Sequence, residues 1–150
     1  MNIIINKIKE KLEENVVFNI YEITPFLESI INSLRNDLGS SYLIATDLHS
    51  NNKVKLFYYD IYYLEYLNRS VFIYTEKNVY EIKEPLYRLE KQLPSFFARC
   101  SKSMIVNTRR IKEFSSSLNG NIIARLLNEE KIVISRRYVK AIKNVLESIN

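Results

Sequence analysis

The chain has 150 residues, 47% of them hydrophobic and 26% charged, which is the balance of a folded globular domain and not of a disordered segment. One Cys, one His, two Gly and three Pro exclude zinc fingers, disulfide frameworks and Gly-rich phosphate loops. They leave Cys100 and His49 only each other as catalytic partners. The net charge is +5, unevenly spread: residues 1–57 carry six basic and seven acidic side chains, residues 58–150 sixteen and ten. Two windows contain no acid: 99–112, with Arg99, Lys102, Arg109, Arg110 and Lys112, and 131–143, with Lys131, Arg136, Arg137, Lys140 and Lys143. Clustered basic charge suits a polyanion binder; two solvated faces with their acids elsewhere in the fold are the alternative. No stretch reaches the ~18 apolar residues of a membrane span. Ile3-Ile4-Ile5 is too short for an export signal, so the chain reads as cytoplasmic.

Taken in order, Ile3–Ile5 and Val16–Ile20 are short and β-branched and predict strands, with a helical turn as an alternative over 6–14. Thr24-Pro25 announces a helix, with Thr as N-cap and Pro in the first helical position. Leu27, Ile30, Ile31, Leu34 and Leu38 form its apolar face, and Gly39 stops it. From residue 41 short strands take over: Tyr42–Thr46, Lys53–Tyr58, Ile61–Leu67, Val71–Thr75 and Val79–Lys83. The polar turn at 49–52 and the breaks at 68–70 and 76–78 read as hairpin loops. Glu84-Pro85 opens a short helix with Leu86, Leu89 and Leu93 on one face, and Pro94 ends it. Strands at Met104–Asn107, Ile111–Phe114, Ile122–Leu127 and Lys131–Ile134 follow, with Asn119-Gly120 as a turn. Ser135 caps a last helix whose apolar positions run from Tyr138 to Ile149. The whole is an α+β, strand-rich pattern.

Three basic elements fall at turns or element ends. Arg69 sits between two strands. Arg99-Cys100-Ser101-Lys102-Ser103 leads into a strand. Arg136 and Arg137 occupy the first turn of the last helix, whose free N–H groups attract anions. Arg suits guanine edges, while Lys and Ser suit phosphates.

Four blocks then carry a family resemblance. They are Asp60-Ile61-Tyr62-Tyr63-Leu64-Glu65 with the following loop and strand to Thr75; Leu86–Leu93, of L-x-x-L-E-x-x-L type; Phe97–Asn107; and Ser135-Arg136-Arg137-Tyr138. In order and over roughly residues 54–148, they resemble the LytTR DNA-binding domain, whose third block runs F-x-R-x-H-R-S-x-x-V-N. The resemblance implies an elongated, mostly antiparallel β fold that reads duplex DNA with loops and a helix end in successive major grooves, without a helix-turn-helix. Carried onto matching positions, Arg69, Lys102 and Arg137 are base readers. Arg99, Ser103, Arg136 and Lys140 contact the DNA backbone, and Ser101 belongs to the same block. Two positions depart from the family pattern. Ser101 stands where the family has His. Lys102 replaces Arg, keeping the charge but losing the bidentate fork.

The resemblance further implies imperfect direct repeats in promoters as the bound DNA, occupied by a pair of molecules as a homodimer. For short members without a receiver domain, it implies a small membrane protein as inhibitor. No cofactor and no enzymatic activity are expected. Residues 1–46 read as a strand–helix segment for dimerisation or signal reception, and 47–150 as the LytTR-like domain. Two other functions stay open: a single-stranded nucleic acid or RNA module with stacking Tyr residues, and an interaction protein that has lost DNA binding. Elsewhere, Asn107 reads as a strand-end hydrogen-bonding residue, Asp60 and Glu65 as structural, and Glu129-Glu130 as turn charges. His49 reads as a solvated turn residue, and Cys100 as a small apolar filler or a thiol activated by neighbouring charge.

Overall fold

In the computed structural model, which describes residues 17–38, 42–117 and 119–148, the chain divides into two compact units, Met1–Asp37 and Leu38–Asn150. The expected strand at Ile3–Ile5, the alternative turn over 6–14, and Gly39 lie outside the described residues. Helix α1 runs from Pro25 to Leu38. Thr24 caps it as the sequence indicates: its hydroxyl accepts the Leu27 N–H at 3.3 Å and its carbonyl the Glu28 N–H at 2.9 Å. Residues 17–20 form no strand, against expectation. β-branched residues favour extended backbone, but a strand also needs a ladder partner and a face to bury, and Val17 is 71% exposed.

The second unit holds ten strands among its described residues: β1 (Tyr42–Asp47), β2 (Lys53–Phe57), β3 (Ile61–Leu67), β4 (Ser70–Thr75), β5 (Val79–Ile82), β6 (Phe97–Arg99), β7 (Met104–Asn107), β8 (Ile111–Ser116), β9 (Ile122–Leu126) and β10 (Lys131–Ile134). Seven form one sheet in the order β2-β1-β5-β4-β3-β7-β6, and three form a second, β10-β9-β8. Every neighbouring pair is antiparallel. The strand-rich α+β reading holds. β1 lies between β2 and β5 in the large sheet. The strand absent from the sequence reading is β6, whose three residues are too few to display a period.

The two faces of the large sheet feed different cores. On one face Leu43, Leu56, Leu64, Val71, Ile73 and Ile105 are buried with Leu86, Leu89 and Leu93, the apolar stripe of helix α2 (Leu86–Gln92). Pro85 and Pro94 bracket that helix. On the other face Tyr62, Ala98, Cys100 and Val106 pack with Ala124, Leu126, Ile132 and Ile134 of the small sheet and Ile142 of helix α3 (Val139–Ser148). A register shift between Ile61 and Tyr63 lets Tyr62 and Tyr63 both join this second core while Ile61 and Leu64 serve the first. No helix of the described residues is long and apolar enough to cross a membrane.

Cys100 is fully buried in the second core. Burial pushes its thiol up to about 12 despite Arg99 beside it, so it is the filler and not the activated thiol. With a folded pKa above the ordinary thiol value of about 9, the associated stability is present below pH 9 and is lost as pH rises from about 9 to about 12. Iodoacetamide at pH 8 is expected to leave Cys100 unlabelled in the folded protein and to label it fully in guanidinium. Rapid labelling without denaturant would contradict the buried placement.

Candidate nucleic-acid interface

Strand register gathers the basic side chains at one end of the large sheet. β3 and β4 are joined by a two-residue turn, Asn68-Arg69, closed by the Leu67–Ser70 pair. Both turn residues have positive φ, 51° and 68°, the type I′ geometry that matches strand twist. Arg69 is thereby held at the tip, exposed. At the same end β5 finishes with Ile82 opposite Val71, β7 begins with Met104 opposite Glu65, and β6 ends with Arg99 opposite Ile105. Arg69, Arg99 and Lys102 consequently line a single open depression of about 400 Å³.

The loop between β6 and β7 is built from its own polar groups. The Cys100 and Ser101 N–H groups donate to the Met104 carbonyl, and the Tyr66 N–H donates to the Ser103 carbonyl at 2.7 Å. Ser101 Oγ accepts the Ser103 N–H at 3.2 Å and lies 3.5 Å from Ser103 Oγ. Arg99 donates from Nε to Glu90 at 3.0 Å and from Nη1 to the Lys102 carbonyl at 2.5 Å. Its side chain is only 19% exposed. Ser101 and Ser103 thus spend their polar groups on the loop, Arg99 divides its own between the loop and Glu90 of α2, and Lys102 is left exposed at the tip.

The third basic element is tied to this loop through the main chain. The Ser135 N–H donates to the Cys100 carbonyl at 2.9 Å. Arg136–Tyr138 form a 3-10 turn that precedes α3, so the two Arg residues sit ahead of the α-helix and not in its first turn. Ser135 caps that turn through its carbonyl, which accepts the Tyr138 N–H at 2.8 Å. Its hydroxyl makes no capping bond. Arg136 N–H donates to Asn121 Oδ1 at 3.0 Å. Arg136, Arg137 and Lys140 are exposed, with the Arg137 guanidinium 5.9 Å from the Tyr138 ring.

The two acid-free windows do not survive as patches. β7 separates Arg99 and Lys102 at one end of the sheet from Arg109, Arg110 and Lys112 beyond its other end, about 13 Å of strand apart. At that far end Arg109 stacks on Phe96 at 4.1 Å. Arg110 donates to the Tyr59 carbonyl and lies over Tyr62. Lys112 pairs with Glu129 and holds that carboxyl below the usual range. β10 separates Lys131 from Arg136 in the same way. Among the other singled-out residues, Asn107 is a strand-end hydrogen-bonding residue, and Glu65 accepts a bond from the Tyr74 hydroxyl. The exposed His49 donates its N–H to Asp47 Oδ1. The Ser50 and His49 N–H groups hold the Asp47 carboxyl below its ordinary value.

Sequence reasoning missed Tyr66, Lys83 and Tyr87, which line the same depression. The signal for them is the pairing register, which a single sequence does not display.

Comparison with known proteins agrees with this architecture. The family model described as LytTr DNA-binding domain matches residues 51–147. An uncharacterised HTH-type transcriptional regulator of Staphylococcus aureus (strain MSSA476) is 32% identical over 150 residues, covering 97% of each chain. Another, from strain NCTC 8325, is 36% identical over 124 residues and 80% of each chain. Among solved structures, the LytTr DNA-binding domain of a Bacillus cereus protein described as a methyl-accepting/DNA response regulator superposes with a TM-score of 0.66 at 23% identity. That match covers 72% of this chain and 98% of that one. The four sequence blocks, the two antiparallel sheets and these matches agree, and the chain belongs to the LytTR DNA-binding domain family.

Proposed function

We propose that the protein is a transcriptional regulator that binds duplex DNA sequence-specifically, with loop tips and not a recognition helix set into the major groove. The observation that carries this reading is the placement of Arg69, Lys102, Arg136 and Arg137, all exposed, on turns tied to one another by the Tyr66–Ser103 and Ser135–Cys100 main-chain bonds. Arg69, Lys102 and Arg137 read base edges. Arg136 and Lys140 contact phosphates. Arg99, Ser101 and Ser103 act through the loop they hold. The family match and the relatives named as transcriptional regulators support the DNA-binding function. Those relatives are called HTH-type, but in this chain five strands separate α2 from α3, which supports reading by loops over a helix-turn-helix. Two molecules on an imperfect direct repeat complete the proposal, with a small membrane protein as inhibitor.

The test is selection of bound duplexes from a random pool, followed by titration of the best sequence with Arg137→Ala. The variant should lose ~1–3 kcal/mol and relax preference at one base position. Unchanged affinity and preference would remove Arg137 as a reader. Single-stranded oligonucleotides that outcompete the duplex would replace the duplex reading with the single-strand one.

A further inference from the structure

The depression between the Arg69 turn and the Lys102 loop has a second wall to which the family resemblance gives no role. Lys83 directly follows β5, and since Ile82 pairs with Val71, it sits beside the start of β4 at the Arg69 end. Tyr66 on β3 and Tyr87 on α2 complete the wall. Both rings are about half exposed, 45% and 55%. The side chains of Tyr66, Lys83 and Tyr87 make no hydrogen bond or ion pair among the described residues. Of the cations lining the depression, Arg99 is paired with Glu90, whereas Arg69, Lys83 and Lys102 have no ion pair among the described residues. Glu84 is the only carboxylate among the lining residues. Three unpaired cations and two free phenol donors around one concavity form a seat for a tetrahedral dianion or monoanion with several acceptor oxygens.

We infer that this depression seats one phosphate of the DNA backbone, held by Lys83 and by the hydroxyls of Tyr66 and Tyr87, while Arg69 and Lys102 reach past it to the bases. The inference rests on the duplex-binding reading. The Lys83 ammonium displaces a condensed counterion from the duplex; a phenol hydroxyl displaces none. The two contact types therefore separate in a salt titration. Lys77 supplies the control. It is an exposed lysine on the turn after β4, roughly 20 Å along that strand from Arg69.

The experiment measures the affinity of the full chain for a random-sequence 40-base-pair duplex across a sodium chloride series. Lys83→Gln is expected to flatten the slope of log affinity against log salt by about 0.9 and to leave preference among duplex sequences unaltered. Tyr87→Phe is expected to weaken binding roughly three- to tenfold at every salt concentration with the slope kept. Lys77→Gln is expected to match the wild type. A Lys83→Gln slope equal to wild type overturns the phosphate seat and leaves the duplex reading standing. Equal flattening by Lys77→Gln also overturns it, by reducing the effect to net charge. Absence of any salt-sensitive duplex binding by the wild-type chain overturns both. Thermal melts identical to wild type, expected for exposed substitutions, certify that each variant is folded.

Discussion

Asn107→Ala is expected to lower stability by about 3 kcal/mol and the melting temperature by roughly 10 °C. Asn107 is 1% exposed, at the end of β7. Its Nδ2 donates to the Ile61 carbonyl at 2.9 Å and to the Tyr58 carbonyl at 3.4 Å. Its Oδ1 accepts the Arg109 N–H at 3.1 Å. One side chain thereby satisfies backbone groups in three segments, two of them about fifty residues upstream. Alanine removes this partner from the Ile61 carbonyl and the Arg109 N–H, while the Tyr58 carbonyl keeps the Ile61 N–H, and each orphan costs ~1–3 kcal/mol. Asn107→Asp keeps the acceptor but turns a carboxylate oxygen toward two carbonyls. It should be destabilised comparably at pH 7 and partly recover as pH falls and the carboxyl protonates. A circular-dichroism melt within about 3 °C of wild type for Asn107→Ala would show that the network is not holding the strand ends.

Arg69→Gly is expected to move stability and binding in opposite directions. A side chain at φ 68° costs of order 1 kcal/mol that glycine does not pay, and Asn-Gly is the preferred pair for a type I′ turn. The glycine variant should therefore be more stable by ~0.5–1 kcal/mol. It should also bind its selected duplex ~1–3 kcal/mol more weakly. Arg69→Ala should show the binding loss without the gain in stability, since alanine keeps the left-handed penalty. Paired denaturant and duplex titrations separate the two effects. Wild-type affinity in Arg69→Gly would mean that the strained turn serves the hairpin alone.

The contrast between these two residues shows what a sequence discloses. The Thr24-Pro25 cap, the helix between Pro85 and Pro94 and the hairpin loops are written in local residue order, because caps and turns are decided within a few residues. The Asn119-Gly120 turn belongs with them: Gly120 has φ 76°, and the Ser117 N–H donates to the Asn121 carbonyl. β6 escaped because three residues carry no period; its existence depends on β7 beside it. The tips bearing Arg69, Lys102 and Arg137 were legible through residue type and motif order. The role of Arg99 was not, since Glu90, nine positions away on α2, decides where the guanidinium points. Lys83, Tyr66 and Tyr87 were illegible for the same reason, being brought together by strand register across seventeen or more positions. Charge windows misled in a definite way. A four-residue strand inside each window split its cations, setting Arg109, Arg110 and Lys112 apart from Arg99 and Lys102 in one and Lys131 apart from the other four in the second.

Backbone hydrogen bonds tie the basic tips together: Tyr66 to Ser103, Cys100 and Ser101 to Met104, Ser135 to Cys100. The side chains at the tips contribute nothing to those bonds and bury no core. Exchanging Arg69, Lys102 or Arg137 for another residue therefore alters what is touched while the frame stays where it was. On the proposed reading, preference for a target would then change one tip at a time, with little penalty in folding.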